Sequence, residues 1–251
     1  MKITFLGTGG ENLQKNRDYT STAIEVCGSV YLFDAGASVF SKMLDYGVDP
    51  SKLRSVFITD GKYDRVSGLP MLVDIFSWSK SYGNIPISYY LPERRSIDSL
   101  VGLVDSMSAG ASVHGDFNVC REGLLYEDEN IKLFAIPIGH IKNGDGINTS
   151  YAFALYAEEK CIIFSGDLSG ELDTERIFDF IKDEKINLFI SELTHFSPGS
   201  LMEKMTENIP ERIYFNHISD SEKILAEIED LKKIGSDIEI CVTHDGMSLE
   251  V

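Results

Sequence analysis

The sequence lacks long apolar runs and any sign of an export segment. No stretch approaches the roughly 18 uninterrupted apolar residues that predict a membrane-spanning helix. The first residues carry no basic region followed by an apolar run. These absences argue against a membrane protein and against secretion, so we expect a cytoplasmic protein without a membrane partner.

Cysteine is also scarce, and its spacing carries no motif. The 251 residues include four cysteines, none of them in a Cys-x-x-Cys pair. Single cysteines in apolar, strand-like stretches are typical of buried reduced thiols rather than of a disulfide framework or a metal site. We predict this buried state for all four, which are Cys27, Cys120, Cys161 and Cys241.

The chain has few positively charged residues relative to its acidic ones. The chain has 23 Lys and Arg residues against 40 Asp and Glu residues, which gives a formal net charge of −17. Proteins bind nucleic acids by neutralising phosphates with Lys and Arg, so a long nucleic acid is a poor partner. A small anionic ligand remains compatible with this charge, because a local cluster can be positive on a negative protein.

The apolar and charged residues that are present predict a globular α/β protein. With 43% hydrophobic and 25% charged residues, the chain is suited to a single domain over 1–251. Strand-like segments alternate with amphipathic helical ones, which favours layered α/β architecture. Strands are predicted over 2–6, 20–26, 30–34, 54–59, 86–90, 131–137, 151–156, 161–165, 187–191, 211–216 and 238–242. Helices are predicted over 38–46, 67–79, 93–106, 173–182, 200–207 and 221–233.

The segment from Ile58 to Pro70 is the most distinctive motif. It reads Ile-Thr-Asp-Gly-Lys-Tyr-Asp-Arg-Val-Ser-Gly-Leu-Pro and lies between a predicted buried strand and a predicted helix. With the motifs around it, this segment resembles the metallo-β-lactamase superfamily, in its ribonuclease Z and phosphodiesterase-like branch. That resemblance implies an αββα four-layer sandwich. The other motifs that carry it lie at 2–10, 20–26, 31–36, 136–140, 164–167, 214–219 and 245–249.

The same resemblance implies where two metals would be bound. The superfamily reads Thr-His-x-His-x-Asp-His at this turn, and only the acid is kept here. The implied first site is Asp60, Lys62 and His140; the implied second site is Asp64, Arg65 and His217; Asp167 would bridge them. Lys and Arg are protonated at neutral pH and repel a divalent cation, so we do not expect a normal dinuclear centre.

Two interpretations of the turn remain open. In the first, Lys62 and Arg65 are internal counterions that replace the metals and allow the nearby carboxylates to be buried together. In the second, Lys62 and Arg65 turn outward or hold a substrate's anion, and one zinc, iron or manganese ion is bound by the remaining ligand types. The residues predicted to gather that single metal are Asp60, Asp64, His140, Asp167 and His217.

The resemblance also assigns further roles. Asp64 would be catalytic if the site is active, and His195 resembles in position the histidine that donates a proton to the leaving group in the ribonuclease Z branch. Asp34 is expected to cap a turn below the pocket. No lysine- and glycine-rich arm for gripping tRNA is found between Gly68 and His140, which argues against tRNA processing.

We therefore predict a pseudoenzyme that binds a small phosphate-containing anion, through Lys62 and Arg65, or a partner protein. The alternative is a phosphodiesterase-like hydrolase with an atypical mononuclear site. The ligands of that site would be Asp64, Asp167, His140 and His217. Pairing with a second copy of the chain, or with an active paralogue, is a further expectation.

Overall fold

The structure is a computed structural model that describes residues 1–82, 85–107, 112–195, 199, 201, 209–218, 222–233 and 238–251. The chain divides into two compact units. Unit 1 comprises Met1–Cys120 and Asp245–Glu250, and unit 2 comprises Arg121–His244 and Val251. Each unit contains one seven-stranded mixed sheet.

The sheet of unit 1 has the strand order β14-β1-β2-β3-β4-β5-β6. Neighbouring strands are antiparallel from β14 to β3 and parallel from β3 to β6. The strands are β1 Lys2–Gly7, β2 Ser21–Val26, β3 Ser29–Phe33, β4 Leu53–Phe57, β5 Ser88–Leu91, β6 Asp116–Val119 and β14 Ser248–Glu250.

Apolar side chains on one face of this sheet pack against helices of the same unit. Leu32 and Val56 from the central strands join Leu72 and Val73 of the third helix and Val104 of the fourth in one buried cluster. Their burial is the main source of stability for such a layer. The helices are α1 Val39–Asp45, α2 Tyr63–Val66, α3 Leu69–Trp78 and α4 Arg94–Met107, with a 3-10 turn at Pro50–Lys52.

The sheet of unit 2 has the order β13-β12-β11-β10-β9-β8-β7. Its strands are parallel from β13 to β10 and antiparallel from β10 to β7. Each sheet therefore combines three parallel and three antiparallel pairings. The strands are β7 Gly123–Glu127, β8 Lys132–Lys142, β9 Asn148–Ala157, β10 Lys160–Phe164, β11 Leu188–Glu192, β12 Arg212–Asn216 and β13 Glu239–Val242.

Two helices of unit 2 lie in the described part of the chain, α5 Glu171–Phe180 and α6 Glu222–Lys233. Ile177 of α5 and Ile228 of α6 are fully buried in the same apolar cluster as Ile163 and Phe215 of the strands. No helix among the described residues is long and apolar enough to cross a membrane. The helix predicted over 200–207 falls almost entirely outside the described residues.

Most predicted elements are present, and the differences have local causes. Strands β6 and β7 were not predicted, because they are short edge strands that are half-exposed and contain Asp, Asn or Gly. The predicted helix over 67–79 is wrong at its start: α2 ends at Val66, and α3 begins at Leu69 after Gly68.

The cysteines correct one further expectation. Cys120 and Cys161 are buried free thiols as predicted, and Cys241 is partly buried. Burial raises the pKa of the Cys161 thiol to about 11. Cys27 is exposed instead, because it forms the turn between β2 and β3 with Gly28, at a φ of 48°.

Candidate functional site

In unit 1, the candidate side chains follow the carboxyl ends of two parallel strands. Asp34 comes directly after β3, and Thr59 and Asp60 come shortly after β4. Carboxyl ends of neighbouring parallel strands lie at one edge of a sheet, so this connection brings distant sequence positions together. Asp34 has a φ of 59°, which is uncommon for a residue other than glycine.

Arg65 lies at the centre of a buried ion cluster, which we call the arginine cluster: Arg65, Asp34, Asp60 and Asp64. Its Nη1 donates to Oδ2 of Asp34 at 2.7 Å. Its Nε lies 3.9 Å from Oδ2 of Asp60 and 3.8 Å from Oδ2 of Asp64. Arg65 is only 3% exposed, and Asp60 and Asp64 are fully buried. One guanidinium is thus shared by three carboxylates.

Asp34 is tied to the turn by several donors. Its Oδ1 accepts from the backbone N–H of Thr59 at 2.8 Å and from the Thr59 hydroxyl at 2.9 Å. Burial raises the pKa of Asp34 to about 6, and the Arg65 charge and the Thr59 N–H oppose that rise without cancelling it. The negative charge of Asp60 adds to the rise, because it repels the ionised form of Asp34.

Lys62 is placed differently from Arg65. Its backbone N–H donates to Oδ1 of Asp60 at 2.8 Å, which closes the turn locally. Its ammonium group is partly exposed and lies 3.6 Å from a carboxylate oxygen of Glu11. The hydroxyl of the neighbouring Tyr63 donates to the Glu11 carbonyl. Lys62 therefore lies at the edge of the turn, outside the buried arginine cluster.

Backbone contacts fix the turn against the end of β3. The N–H of Ala35 donates to the Arg65 carbonyl at 2.8 Å, and the N–H of Gly68 donates to the Ala35 carbonyl at 2.8 Å. A Cβ at Gly68 would lie 2.2 Å from the Gly36 carbonyl oxygen, so only glycine allows this approach. The position of Arg65 is consequently set by main chain on both sides.

In unit 2, residues at the carboxyl ends of parallel strands again contribute to the site. Asp167 follows β10, Glu192 ends β11, and His217 follows β12 at a φ of 51°. Gly166 precedes Asp167 with a φ of 60°, and a Cβ there would lie 2.6 Å from the Tyr151 carbonyl oxygen. The backbone path at the end of β10 therefore requires glycine at position 166, directly before Asp167.

Histidines surround Asp167, and together they form what we call the histidine cluster: His140, Asp167, His195 and His217. Nε2 of His140 lies 3.6 Å from Oδ2 of Asp167, and Nε2 of His217 lies 3.4 Å from Oδ1. His140, Asp167 and His195 each offer a ligand atom, and these atoms lie within 4.8 Å of one another. Asp167 is fully buried, and His217 is almost so.

Glu192 positions residues of the histidine cluster through hydrogen bonds. One carboxylate oxygen lies 3.0 Å from Nδ1 of His195 and accepts from the backbone N–H of Leu168 at 3.1 Å. The other oxygen accepts from the N–H of Thr194 at 2.6 Å. The Thr194 hydroxyl in turn donates to the His217 carbonyl at 2.8 Å. A carboxylate on Nδ1 leaves Nε2 of His195 as the metal-binding atom of that ring.

The two clusters differ in whether they fit a divalent metal. The turn of unit 1 does not fit a divalent metal in the way the superfamily pattern requires. The buried guanidinium of Arg65 already lies within 4 Å of the carboxylates that would be the metal ligands, and its positive charge would repel the ion. The histidine cluster does fit a single ion, since imidazoles with a carboxylate are a donor set used for zinc and iron.

Within each unit, the structure brings predicted site residues together. Asp60, Asp64 and Arg65 meet in the arginine cluster, with Lys62 at its edge. The predicted residues of unit 2 meet in the histidine cluster; they are His140, Asp167, His195 and His217. The predicted catalytic roles of Asp64 and His195, and the predicted anion-binding role of Lys62 and Arg65, stay predictions.

Sequence reasoning missed two features of these clusters. It gave Glu192 no role, although a glutamate directly after a predicted strand and three residues before a histidine is a usable signal for a positioning carboxylate. It also did not connect Asp34 to Arg65, because nothing local in the sequence links residues so far apart.

Solved structures with the same fold cover the whole chain. Human tRNase Z, short form, matches with a TM-score of 0.73 at 19% identity, over 100% of this chain and 99% of that one. The metallo-β-lactamase fold protein YhfI from Bacillus subtilis matches with a TM-score of 0.74 at 15% identity, over 99% of each chain. Yeast PDE1 matches with a TM-score of 0.71 at 14% identity, over 100% and 99%. The class is therefore that of metallo-β-lactamase-fold proteins, as predicted.

Sequence relatives define the branch and the family. The chain is 28% identical over 155 residues to Ribonuclease Z of Methanothermobacter thermautotrophicus, which is 61% of this chain and 48% of that protein. It is 29% identical over 187 residues to Ribonuclease Z of Bacillus licheniformis, or 70% and 53%. The chain thus spans about half the length of the curated relatives it matches. The profile of the family described as anti-Pycsar protein Apyc1 matches residues 1–235, and the chain belongs to that family.

Proposed function

We propose that this protein is a pseudoenzyme of its family, which binds a small phosphate-containing anion without hydrolysing a phosphodiester. The observation that carries the proposal is the arginine cluster. The superfamily pattern has an imidazole ligand at position 65, and here that position holds a buried guanidinium bound to Asp34 and close to Asp60 and Asp64.

Electrostatics explains why this arrangement disfavours dinuclear catalysis. Two-metal hydrolases use their ions to lower the pKa of bound water and to stabilise the oxygens displaced in the reaction. A divalent ion beside Arg65 would face a fixed positive charge in a buried setting, where screening is weak. The carboxylates that would attract the ion are already neutralised in part by Arg65.

The anion-binding part of the proposal depends mainly on Lys62. Three carboxylates outweigh the single charge of Arg65, so Arg65 offers little net attraction to an anion. The ammonium group of Lys62 is partly exposed, and its 3.6 Å pair with Glu11 is of the weak, exposed kind. A phosphate can compete with such a pair.

Metal content and activity together test the loss of hydrolysis. Protein purified without chelator should contain well under one equivalent of zinc, iron or manganese, and it should not cleave a chromogenic phosphodiester. The triple variant Asp60→His, Lys62→His and Arg65→His restores the ligand string of the superfamily and should take up about two zinc ions. Stoichiometric metal and activity in the wild type would contradict the proposal.

Phosphate titration tests the ligand. Inorganic phosphate should raise the thermal midpoint of the wild type, and Lys62→Ala should remove most of that effect. Lys52→Ala is the matched control, because Lys52 is an exposed lysine in the 3-10 turn away from this motif. Equal stabilisation of all three proteins would mean that phosphate binds elsewhere.

The histidine cluster favours a second candidate function, a hydrolase with one metal. His140, Asp167 and His195 would hold the ion, with His217 beside Asp167 and Glu192 orienting the His195 ring. Such an ion would activate a water molecule as a nucleophile. The sequence also predicts Asp64, of unit 1, as a ligand of this site, and that role stays a prediction. Stoichiometric metal that is lost in His140→Ala would favour this candidate over the pseudoenzyme.

A further inference from the structure

Helix α4 presents one face to a cavity of about 310 Å³ in unit 1. Ser96, Ser99, Leu100 and Leu103 follow the spacing that places residues on one side of a helix, and all four line the cavity. Apart from Arg95 of the same helix, the remaining lining comes from the 58–70 motif and from the end of β5. These residues are Gly61, Val66, Leu69, Pro70 and Leu91.

The cavity combines an apolar floor with a polar rim. Leucine, valine and proline side chains form most of its surface, and the hydroxyls of Ser96 and Ser99 add hydrogen-bonding groups. Arg95 is the one charged residue among the described residues that line it. Its side chain is 87% exposed, and its Nη2 lies 3.4 Å from a carboxylate oxygen of Glu93. An exposed pair of this kind contributes little, so a ligand can displace Glu93.

We propose that this cavity binds a small organic anion with an apolar body, separate from any phosphate held at Lys62. The volume lies at the lower end of the range for small-molecule sites, which fits a small ligand rather than a macromolecular surface. The apolar floor favours burial of a hydrocarbon or aromatic body. Arg95 favours a carboxylate, sulfonate or phosphate on that body, since guanidinium groups form charge-assisted hydrogen bonds with such anions.

Gly61 contributes to the proposal through its missing side chain. A Cβ at Gly61 would lie 3.7 Å from the Ser96 hydroxyl oxygen, in ordinary contact. The wall opposite α4 is therefore open at this point because residue 61 is glycine. Gly61 is also part of the 58–70 motif, so an occupied cavity would contact the segment that contains Asp60, Asp64 and Arg65 of the arginine cluster.

A fluorescent organic anion provides the test. We would titrate 8-anilinonaphthalene-1-sulfonate, an aromatic sulfonate, into the wild type and measure fluorescence and stoichiometry. One saturable equivalent should bind, and Arg95→Gln should weaken it about tenfold. Arg94→Gln is the matched control, because Arg94 is the adjacent exposed arginine, pairs with Asp98 and does not line the cavity. It should leave the affinity unchanged.

A second pair of variants tests the location by filling the cavity. Ser99→Phe should abolish binding, whereas Ser106→Phe, on the same helix but outside the cavity, should not. Unchanged unfolding midpoints would show that each variant is folded; if Ser99→Phe fails that check, the Arg95 and Arg94 pair decides. Absence of saturable binding, or equal affinities for Arg95→Gln and Arg94→Gln, would overturn the proposal.

Discussion

The arginine cluster and the histidine cluster solve the same physical problem in different ways. Each gathers buried carboxylate at the carboxyl ends of parallel strands, and each includes a residue other than glycine at positive φ, Asp34 in one and His217 in the other. Two carboxylates about 4 Å apart repel by roughly 4 kcal/mol at an effective dielectric near 20. In the arginine cluster a fixed guanidinium offsets this repulsion, whereas the single carboxylate of the histidine cluster, Asp167, is surrounded by imidazoles.

The difference shows which kind of cation each cluster can use. A guanidinium is covalently part of the chain and stays charged at all relevant pH values. Imidazoles are neutral near pH 7 and can bind a metal ion or a proton. The histidine cluster can therefore take up an exchangeable cation, whereas the cation of the arginine cluster is fixed, and the predictions below test this contrast.

The largest effect is expected for Arg65→Met, which removes the fixed cation and leaves its carboxylates buried together. Breaking a buried ion pair from one side costs about 3–5 kcal/mol. Urea unfolding should therefore show a large loss of stability. Adding Asp60→Asn and Asp64→Asn to this variant should recover part of it, because the uncompensated charges are then gone.

Arg94→Met is the control for this experiment. Arg94 pairs with Asp98 on the exposed face of α4, and exposed pairs contribute about 0.5 kcal/mol or less. If Arg65→Met lowers the free energy of unfolding by less than about 1 kcal/mol, the arginine cluster needs no internal counterion.

A somewhat smaller effect is expected in how the free energy of unfolding depends on pH through Asp34. Its pKa is raised to about 6 in the folded protein, above the value of about 4 that an unfolded chain has. The folded state then binds the proton more tightly. The stabilisation of the folded state that Asp34 contributes is fully present below about pH 4 and is lost as the pH rises through about 6. The loss amounts to at most about 3 kcal/mol.

The measurement compares the wild type with Asp34→Asn. The free energy of unfolding of the wild type, minus that of the variant, should fall between about pH 4 and pH 7. Taking the difference cancels the contributions of carboxylates that do not interact with Asp34. A difference that instead rises below about pH 4 and stays level above it would mean that the bond from Arg65 outweighs burial, and that the Asp34 pKa is lowered.

The smallest effect is expected from added zinc. A cluster that does not retain metal during purification can still bind it weakly, and excess Zn²⁺ at a few times Kd stabilises by about 1 kcal/mol. His140→Ala should lose this stabilisation, and Glu192→Gln should weaken it by releasing the His195 ring. Lys62→Ala should keep it. Zinc stabilisation that survives His140→Ala would place the ion outside the histidine cluster.

The buried strands were predictable from the sequence because continuous apolar runs leave few alternatives. The predicted strands over 2–6 and 161–165 differ by only a residue at either end from Lys2–Gly7 and Lys160–Phe164. Edge strands β6 and β7 were not predictable in the same way, since half-exposed short segments carry little periodic signal.

The clusters were predictable in composition but not in their internal pairing. The motifs named Asp60, Asp64 and Arg65 together, yet the partner that binds Arg65 most closely is Asp34, which precedes β4 in the chain. Lys62 and Arg65 were considered as equivalent cations, and the fold buries one and leaves the other near Glu11. Such choices depend on side-chain direction, which local sequence patterns do not specify.

The pairing of β1 with β14 has a consequence for the order of folding. Lys2 pairs with Glu250 and Thr4 with Ser248, while Asp245 accepts hydrogen bonds from the backbone N–H groups of Thr8 and Asp18. During synthesis, β1 can pair with β2 early, but its other edge has no neighbour in the sheet until residues 248–250 have left the ribosome. An open edge invites association with other chains. The nascent protein therefore passes through a long interval in which protection of that edge by a chaperone would matter most.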